Sequence, residues 1–299
     1  MSVIEEIGAG VAAVAATAGA SVVGIGRDGR GSGVVVGDGQ VLTNAHNLRG
    51  DEVTVTFGDG RSTIGTVAAV DPDGDLAVIK VDTSGAKAID WGAGEAAKVG
   101  DAVFGVAATR GGGVRVTFGL ISSVERSFRG PGGRRIAGSV EHTAPLAPGS
   151  SGGALVDDSG RLIGLNTNRI GEGFYLALPA DAALKARVDA LGRGESARRQ
   201  RLGVAIAPNH VARRLRRSVG LPERDGILVR GVEDGSAAAA AGVQAGDLIE
   251  SAGGRDIRDA DDLQDALAAL EPPFDLGIVR GAEELTLTVA KPGRTPGDA

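Results

Sequence analysis

GSSGG, residues 149–153, decides how the rest of this chain is read. A serine between glycines permits a tight backbone that presents a hydroxyl and turns neighbouring N–H groups toward one point. Such N–H groups are what the oxyanion of a tetrahedral intermediate needs. Taken alone the string has three readings. It fits a nucleophile loop, it satisfies the G-x-S-x-G elbow of a strand-to-helix turn, and in a chain with 50 Gly among 299 residues it is also a plain turn.

The surroundings separate these readings. After Ser151 comes ALVDDSGRLIGLN, two short strands around a turn, where the elbow requires a helix. Upstream lie His46, in QVLTNAH at the end of a strand, and Asp75, in DGDLAV at the start of one; downstream the one His is His210, in a later unit. His, then Asp, then Ser is the order of chymotrypsin-type triads, whereas α/β-hydrolases run Ser, acid, His. Asp71 and Asp73 compete with Asp75 within DPDGD. Asp75 is preferred because it abuts the apolar run LAVIKV, where a carboxylate can be buried beside an imidazole, and the other two suit the Pro-Asp-Gly turn. His142 reads as a strand residue at a barrel surface, and His210 as exposed.

From residue 21 onward, short β-branched runs recur between turn signals: SVVGIG, SGVVVG, EVTVTF, LAVIKV, AVFGVA and VRVTFGLISSV among them. That spacing predicts an all-β barrel or sandwich rather than βαβ units. A short helix over about residues 3–18 precedes the first strand, and 180–192 reads as a helix with Leu184, Val188 and Leu191 on one face. GIGRDG at 24–29 satisfies G-x-G-x-x-G, but a strand follows where a dinucleotide fold needs a helix, so it is assigned to a β-turn. The predicted organisation is a first domain over 1–192, a linker over 193–200, a smaller α+β domain over 201–291 and a disordered tail over 292–299.

Charge and composition exclude several classes. The net charge of −6 argues against nucleic acid as the main partner. The arginines crowded between Arg193 and Arg217 read chiefly as a solvated linker and helix face, with docking on an acidic surface as the second reading. Cysteine is absent, so there is neither a disulfide framework nor a thiolate metal site. No metal or cofactor is expected. Residues 7–26 are uncharged over the length of a membrane span, but they are mostly Ala and Gly and follow Glu5 and Glu6 rather than a basic start. No signal peptide or membrane span is therefore expected, and a cytoplasmic setting is favoured.

TNAH at 43–46, DLAV at 75–78 and PGSSGGAL at 148–155, with a PDZ-like unit behind them, resemble the HtrA/Deg serine proteases. The spacings match as well, 29 residues from His46 to Asp75 and 76 from Asp75 to Ser151. The resemblance runs from about residue 21 to 289. It implies a mainly β fold: a chymotrypsin-like double six-stranded β-barrel with the active site between the barrels, followed by a smaller α+β PDZ domain. It implies a serine endopeptidase acting on unfolded or damaged proteins, with Ser151 as nucleophile, His46 as base and Asp75 as its partner. The N–H groups of Gly149 and Ser151 would form the oxyanion hole. Ser150 stands where the family usually has Asn. The rival from another class is a catalytically silent PDZ scaffold or chaperone-like binder.

The resemblance also places a substrate pocket and a peptide groove. FYLALP at 174–179 matches the strand that lines the primary pocket, which makes Phe174, Tyr175 and Leu176 its candidates. Tyr175 falls where a Gly is usual, either facing outward or partly filling the pocket. RLGV at 201–204 resembles a PDZ carboxylate-binding loop, so Leu202, Gly203 and Val204 are expected to hold a peptide C-terminus. Leu263 and Leu267, on a helix at 261–270, read first as core packing, with one end of their stripe as a floor for that groove. RSFRGPGGRR at 126–135 occupies the loop position that senses the PDZ domain in relatives. Family members typically trimerise through aromatics near the N-terminus, but the first aromatic here is Phe57, so a monomer or another oligomer stays open.

Overall fold

Strand-forming runs close on themselves twice in the computed structural model, which describes residues 2–27, 29–83, 85–92, 97–130, 135–169, 171, 173–196 and 202–290. The chain divides into two compact units, Met1–Ala197 and Arg198–Ala299.

In the first unit, helix α1 (Val3–Ala16) is started by a capping box in which Ser2 and Glu5 satisfy each other's backbone N–H groups. Strands β1 (Val22–Ile25), β2 (Gly31–Gly37), β3 (Gln40–Thr43), β4 (Glu52–Thr56), β5 (Ser62–Asp71) and β6 (Leu76–Lys80) form one closed barrel. Its spatial order is β1-β2-β3-β6-β5-β4. Strands β7 (Ala102–Ala108), β8 (Val114–Arg129), β9 (Arg135–His142), β10 (Ala154–Val156), β11 (Leu162–Arg169) and β12 (Tyr175–Pro179) form a second, ordered β10-β11-β12-β9-β8-β7. Closure pairs every strand on both sides and leaves no edge.

Both barrels are filled largely by Val, Ile, Leu and Ala. Val34, Leu42, Leu76 and Val78 from the first barrel join Val106, Val156, Leu162 and Leu165 from the second in one continuous buried cluster. Burying each such side chain contributes roughly 1.5–3 kcal/mol. Helix α2 (Ala182–Gly192) is capped by the Asp181 carboxylate and buries Leu184, Val188 and Leu191 in that cluster. Its Arg187 also pairs with Asp71 at the end of β5. The segment Val3–Ser21 is long and apolar enough to cross a membrane, 19 residues at a mean hydropathy of 1.4. Here its Val14 and Ala18 are buried in the same cluster.

The β1–β2 connection is a turn, as its glycines require: Gly26 has φ +77°. The β8–β9 hairpin runs further than a loop at 126–135 would allow, because Arg129 pairs with Arg135. Residues 131–134 of that loop lie outside the described residues, as do Arg201 and the tail at 292–299.

The second unit is a sheet with β13 (Val204–Ala207) at one edge, followed in space by β14 (Ile227–Val232), β15 (Leu248–Ala252), β17 (Phe274–Arg280) and β18 (Glu283–Val289); β16 (Arg255–Asp256) pairs with β15. Helices α3 (Asn209–Ser218), α4 (Ala237–Ala241) and α5 (Ala260–Ala269) complete it. Leu202, Leu263 and Leu267 are buried together in its core.

Candidate active site

The loop 149–153 is shaped by glycines whose backbone leaves no room for a Cβ. Gly149 has φ +89°, and a Cβ there would lie 2.6 Å from the Gly29 carbonyl oxygen. Gly152 has φ +84°, and its Cβ would meet the Ser32 carbonyl oxygen at 2.1 Å. Such backbone conformations suit glycine because it has no Cβ. Two first-barrel residues hold the loop. The Ser32 N–H and the Asn47 side-chain amide both donate to the Ser151 carbonyl, at 2.8 and 2.9 Å, and the Ser32 hydroxyl donates to the Gly149 carbonyl at 2.8 Å. The loop 149–153 of one barrel is thus tied to the wall of the other.

His46 lies in a short 3-10 turn (Ala45–Asn47) just after β3. Its Nδ1–H donates to Asp75 Oδ2 at 2.8 Å, and its backbone N–H donates to Asp75 Oδ1 at 3.1 Å. That fixes the imidazole tautomer and leaves Nε2 as the free lone pair. Asp75 is 1 % exposed and has φ +54°, a left-handed conformation that Asp tolerates better than most residues. The turn before it is closed by Asp71, whose carboxylate accepts the N–H groups of Asp73 (3.2 Å) and Gly74 (3.0 Å) and the Arg187 guanidinium. Asp71 thus serves the turn and Asp75 the imidazole.

Thr167, on β11, links the pieces. Its hydroxyl donates to Asp75 Oδ2 at 3.0 Å, and its carbonyl accepts the Ser151 hydroxyl at 3.0 Å. Among the described residues the N–H groups of Gly149 and Ser151 meet no protein acceptor. His46, Asp75, Ser151, Gly149, Thr167 and Tyr175 line one cleft of about 520 Å³. The cleft thus holds the Ser151 hydroxyl, an imidazole oriented by Asp75 and two backbone N–H groups that meet no acceptor among the described residues.

Tyr175 is 7 % exposed and does not face outward; Phe174 is exposed and Leu176 is in the core. The Tyr175 ring stacks on His142, with centroids 5.8 Å apart and planes at 28°. His142 is not at the barrel surface but fully buried, with Nε2 at 3.1 Å from Asn166 Oδ1 and Nδ1 without a partner. Burial lowers its pKa from 6.5 to about 4, against a smaller upward pull from Asn166. In the second unit Gly203 has φ +78° and Val204 opens the edge strand β13. Thr167, Ser32 and Asn47 were not anticipated. Their roles depend on contacts across 16 to 117 residues, which no local signal carries.

A model of the trypsin-like peptidase domain matches residues 31–165, and one of the PDZ domain matches residues 228–280. The class that the fold defines is therefore a trypsin-like peptidase barrel pair joined to a PDZ domain. Over 274 residues the chain is 33 % identical to a probable periplasmic serine endoprotease DegP-like from Brucella suis, covering 87 % of this chain and 52 % of that protein. It is 35 % identical over 279 residues to the putative serine protease HhoA of Synechocystis sp., covering 87 % of this chain and 70 % of that one. Among solved structures, the HtrA-type protease AlgW with decapeptide superposes with a TM-score of 0.73 at 31 % identity, covering 89 % of this chain and 83 % of that one. This chain belongs to the HtrA/Deg family of serine proteases. It spans about half the length of the DegP-like relative.

Proposed function

We propose that the chain is a serine endopeptidase with His46, Asp75 and Ser151 as its triad, cleaving unfolded or damaged proteins. The observation that carries this is the His46–Asp75 couple opening onto the same cleft as Ser151 and its two unspent N–H groups. For catalysis the Ser151 hydroxyl has to leave the Thr167 carbonyl, which it bonds here, and turn toward Nε2 of His46. The hydroxyl oxygen then attacks the scissile carbonyl while the imidazole takes its proton and later returns it to the leaving amine. Asp75 stabilises the imidazolium, and the Gly149 and Ser151 N–H groups stabilise the oxyanion at ~3 kcal/mol per donor. Tyr175, backed by His142, shortens the pocket for the residue before the scissile bond and favours small side chains there. A Tyr175→Gly variant with unchanged cleavage preference would dispose of that point.

The domain limits proposed are 1–192 for the protease, 193–200 for the linker and 201–291 for the PDZ domain. The latter binds peptide C-termini by strand addition at β13, with the carboxylate held by N–H groups around Leu202, Gly203 and Val204. That AlgW is described with a bound decapeptide supports peptide ligands for this chain. Hydrolysis of unfolded casein, compared with Ser151→Ala, tests the protease: equal rates for the two proteins would refute it.

A further inference from the structure

Beside the candidate active site lies a second cavity, of about 580 Å³, lined by Arg27, Arg30, Arg110 and Arg115 together with Pro148 and Gly149. All four arginines are exposed, and none makes an ion pair with a described residue. Asp28 lies outside the described residues. In a chain of net charge −6, four guanidinium groups around one hollow, none ion-paired to a described residue, are a local reversal of sign.

Their placement ties them to the cleft. Pro148 and Gly149 line both cavities, so the segment that carries the oxyanion donor is the wall between them. Gly149 abuts the Gly29 carbonyl, and a Cβ on Gly29 would lie 3.0 Å from Arg110 Cγ. Arg110 is thus two contacts from the nucleophile loop. Arg30 lies along Gly26, where an added Cβ would be 3.4 Å from its own Cβ. With the residue before the scissile bond in the proposed pocket at Tyr175, the leaving half of a peptide would run past Gly149, the wall shared with the arginine-lined cavity.

We infer that this hollow is a subsite for acidic side chains on the C-terminal side of the scissile bond, so that the enzyme prefers Asp and Glu a few residues after the cut. The inference rests on Ser151 being the nucleophile. Guanidinium groups hold carboxylates in paired, planar hydrogen bonds, and no acid among the described residues is ion-paired to these four. Exposed pairs are individually weak, so three or four together give a preference of about tenfold. Salt at 1 M, where the Debye length is about 3 Å, reduces it to under about threefold.

The test is a digest of a denatured peptide mixture by the full chain, with cut sites mapped by mass spectrometry. The expected result is Asp and Glu enriched about tenfold at the second to fourth positions past the cut. That enrichment falls to background in the Arg30→Gln, Arg110→Gln, Arg115→Gln triple variant. Ser151-dependent cleavage with no acidic bias overturns the subsite and leaves the protease standing. A second arm does not need turnover: fluorescence anisotropy of labelled, C-terminally amidated hexaglutamate and hexaglutamine on Ser151→Ala. Tighter binding of hexaglutamate that the added arginine substitutions abolish supports the anion site even if casein is not cut. Equal binding of the two peptides removes it.

Discussion

Acidification from pH 7 to 4.5 is expected to destabilise the double barrel through His142, a residue outside the proposed triad. The imidazole is fully buried, and its Nε2–H donates to Asn166 Oδ1, because the Asn166 amide nitrogen is already committed to the Ala154 carbonyl. A second proton would have to go on Nδ1, which faces no acceptor. Burial accordingly lowers the pKa from 6.5 to about 4. Between those values the unfolded chain binds a proton that the folded one refuses. Stability from this group is full above about pH 6.5, falls as the pH drops toward 4 and levels off below. At about 1.36 kcal/mol per pH unit the loss is roughly 2–3 kcal/mol by pH 4.5.

The assay is denaturant unfolding followed by the fluorescence of Trp91, the one tryptophan, which packs against the barrel core and so reports on the first unit. His142→Gln keeps a donor for Asn166 and removes the titration. Carboxylates titrate in both proteins, so the difference between their pH slopes isolates His142. The expected result is a variant that loses roughly 2–3 kcal/mol less than the parent between pH 7 and 4.5. Identical slopes would refute the argument, since they would mean that the buried imidazole finds a partner when protonated.

Thr167→Val removes the hydroxyl that donates to Asp75 Oδ2 but leaves the carbonyl beside Ser151. A buried carboxylate short of one donor costs about 1–3 kcal/mol, so kcat/KM for casein-derived peptides should fall about tenfold to a hundredfold with little change in KM. Arg187→Met leaves Asp71 its two backbone donors. Because the guanidinium is 47 % exposed, the loss is only about 1 kcal/mol, a Tm lower by about 2–4 °C, with kcat reduced as the turn carrying Asp75 loosens. Gly203→Ala places a Cβ 2.2 Å from Ser236 Cβ at a residue with φ +78°, and peptide binding measured by titration calorimetry on the full chain should be lost while casein hydrolysis persists.

Much of this architecture is local and was therefore legible. Strand runs broken by Gly and Pro turns, a helix stripe of Leu184, Val188 and Leu191, and the order of His46, Asp75 and Ser151 all reside in neighbouring residues or in simple chain order. The preference for Asp75 over Asp71 and Asp73 also came from immediate neighbours, and the structure sets Asp75 against His46 and Asp71 against its own turn. What lay beyond reach was which way a strand residue faces after a bulge. The β11–β12 ladder slips between Asn166 and Asn168, and β8–β9 slips at three places. Each slip resets the two-residue alternation from which inside and outside are read. Tyr175 and His142 pair across β12 and β9 next to these irregularities, so their burial and stacking were settled only by the closed barrel. Ser32, Asn47 and Thr167 mark the same limit, since they act on Ser151 or Asp75 only once closure brings distant strands to the cleft. Residue types and chain order thus determined the fold and the triad candidates; barrel closure and bulged registers decided what surrounds them.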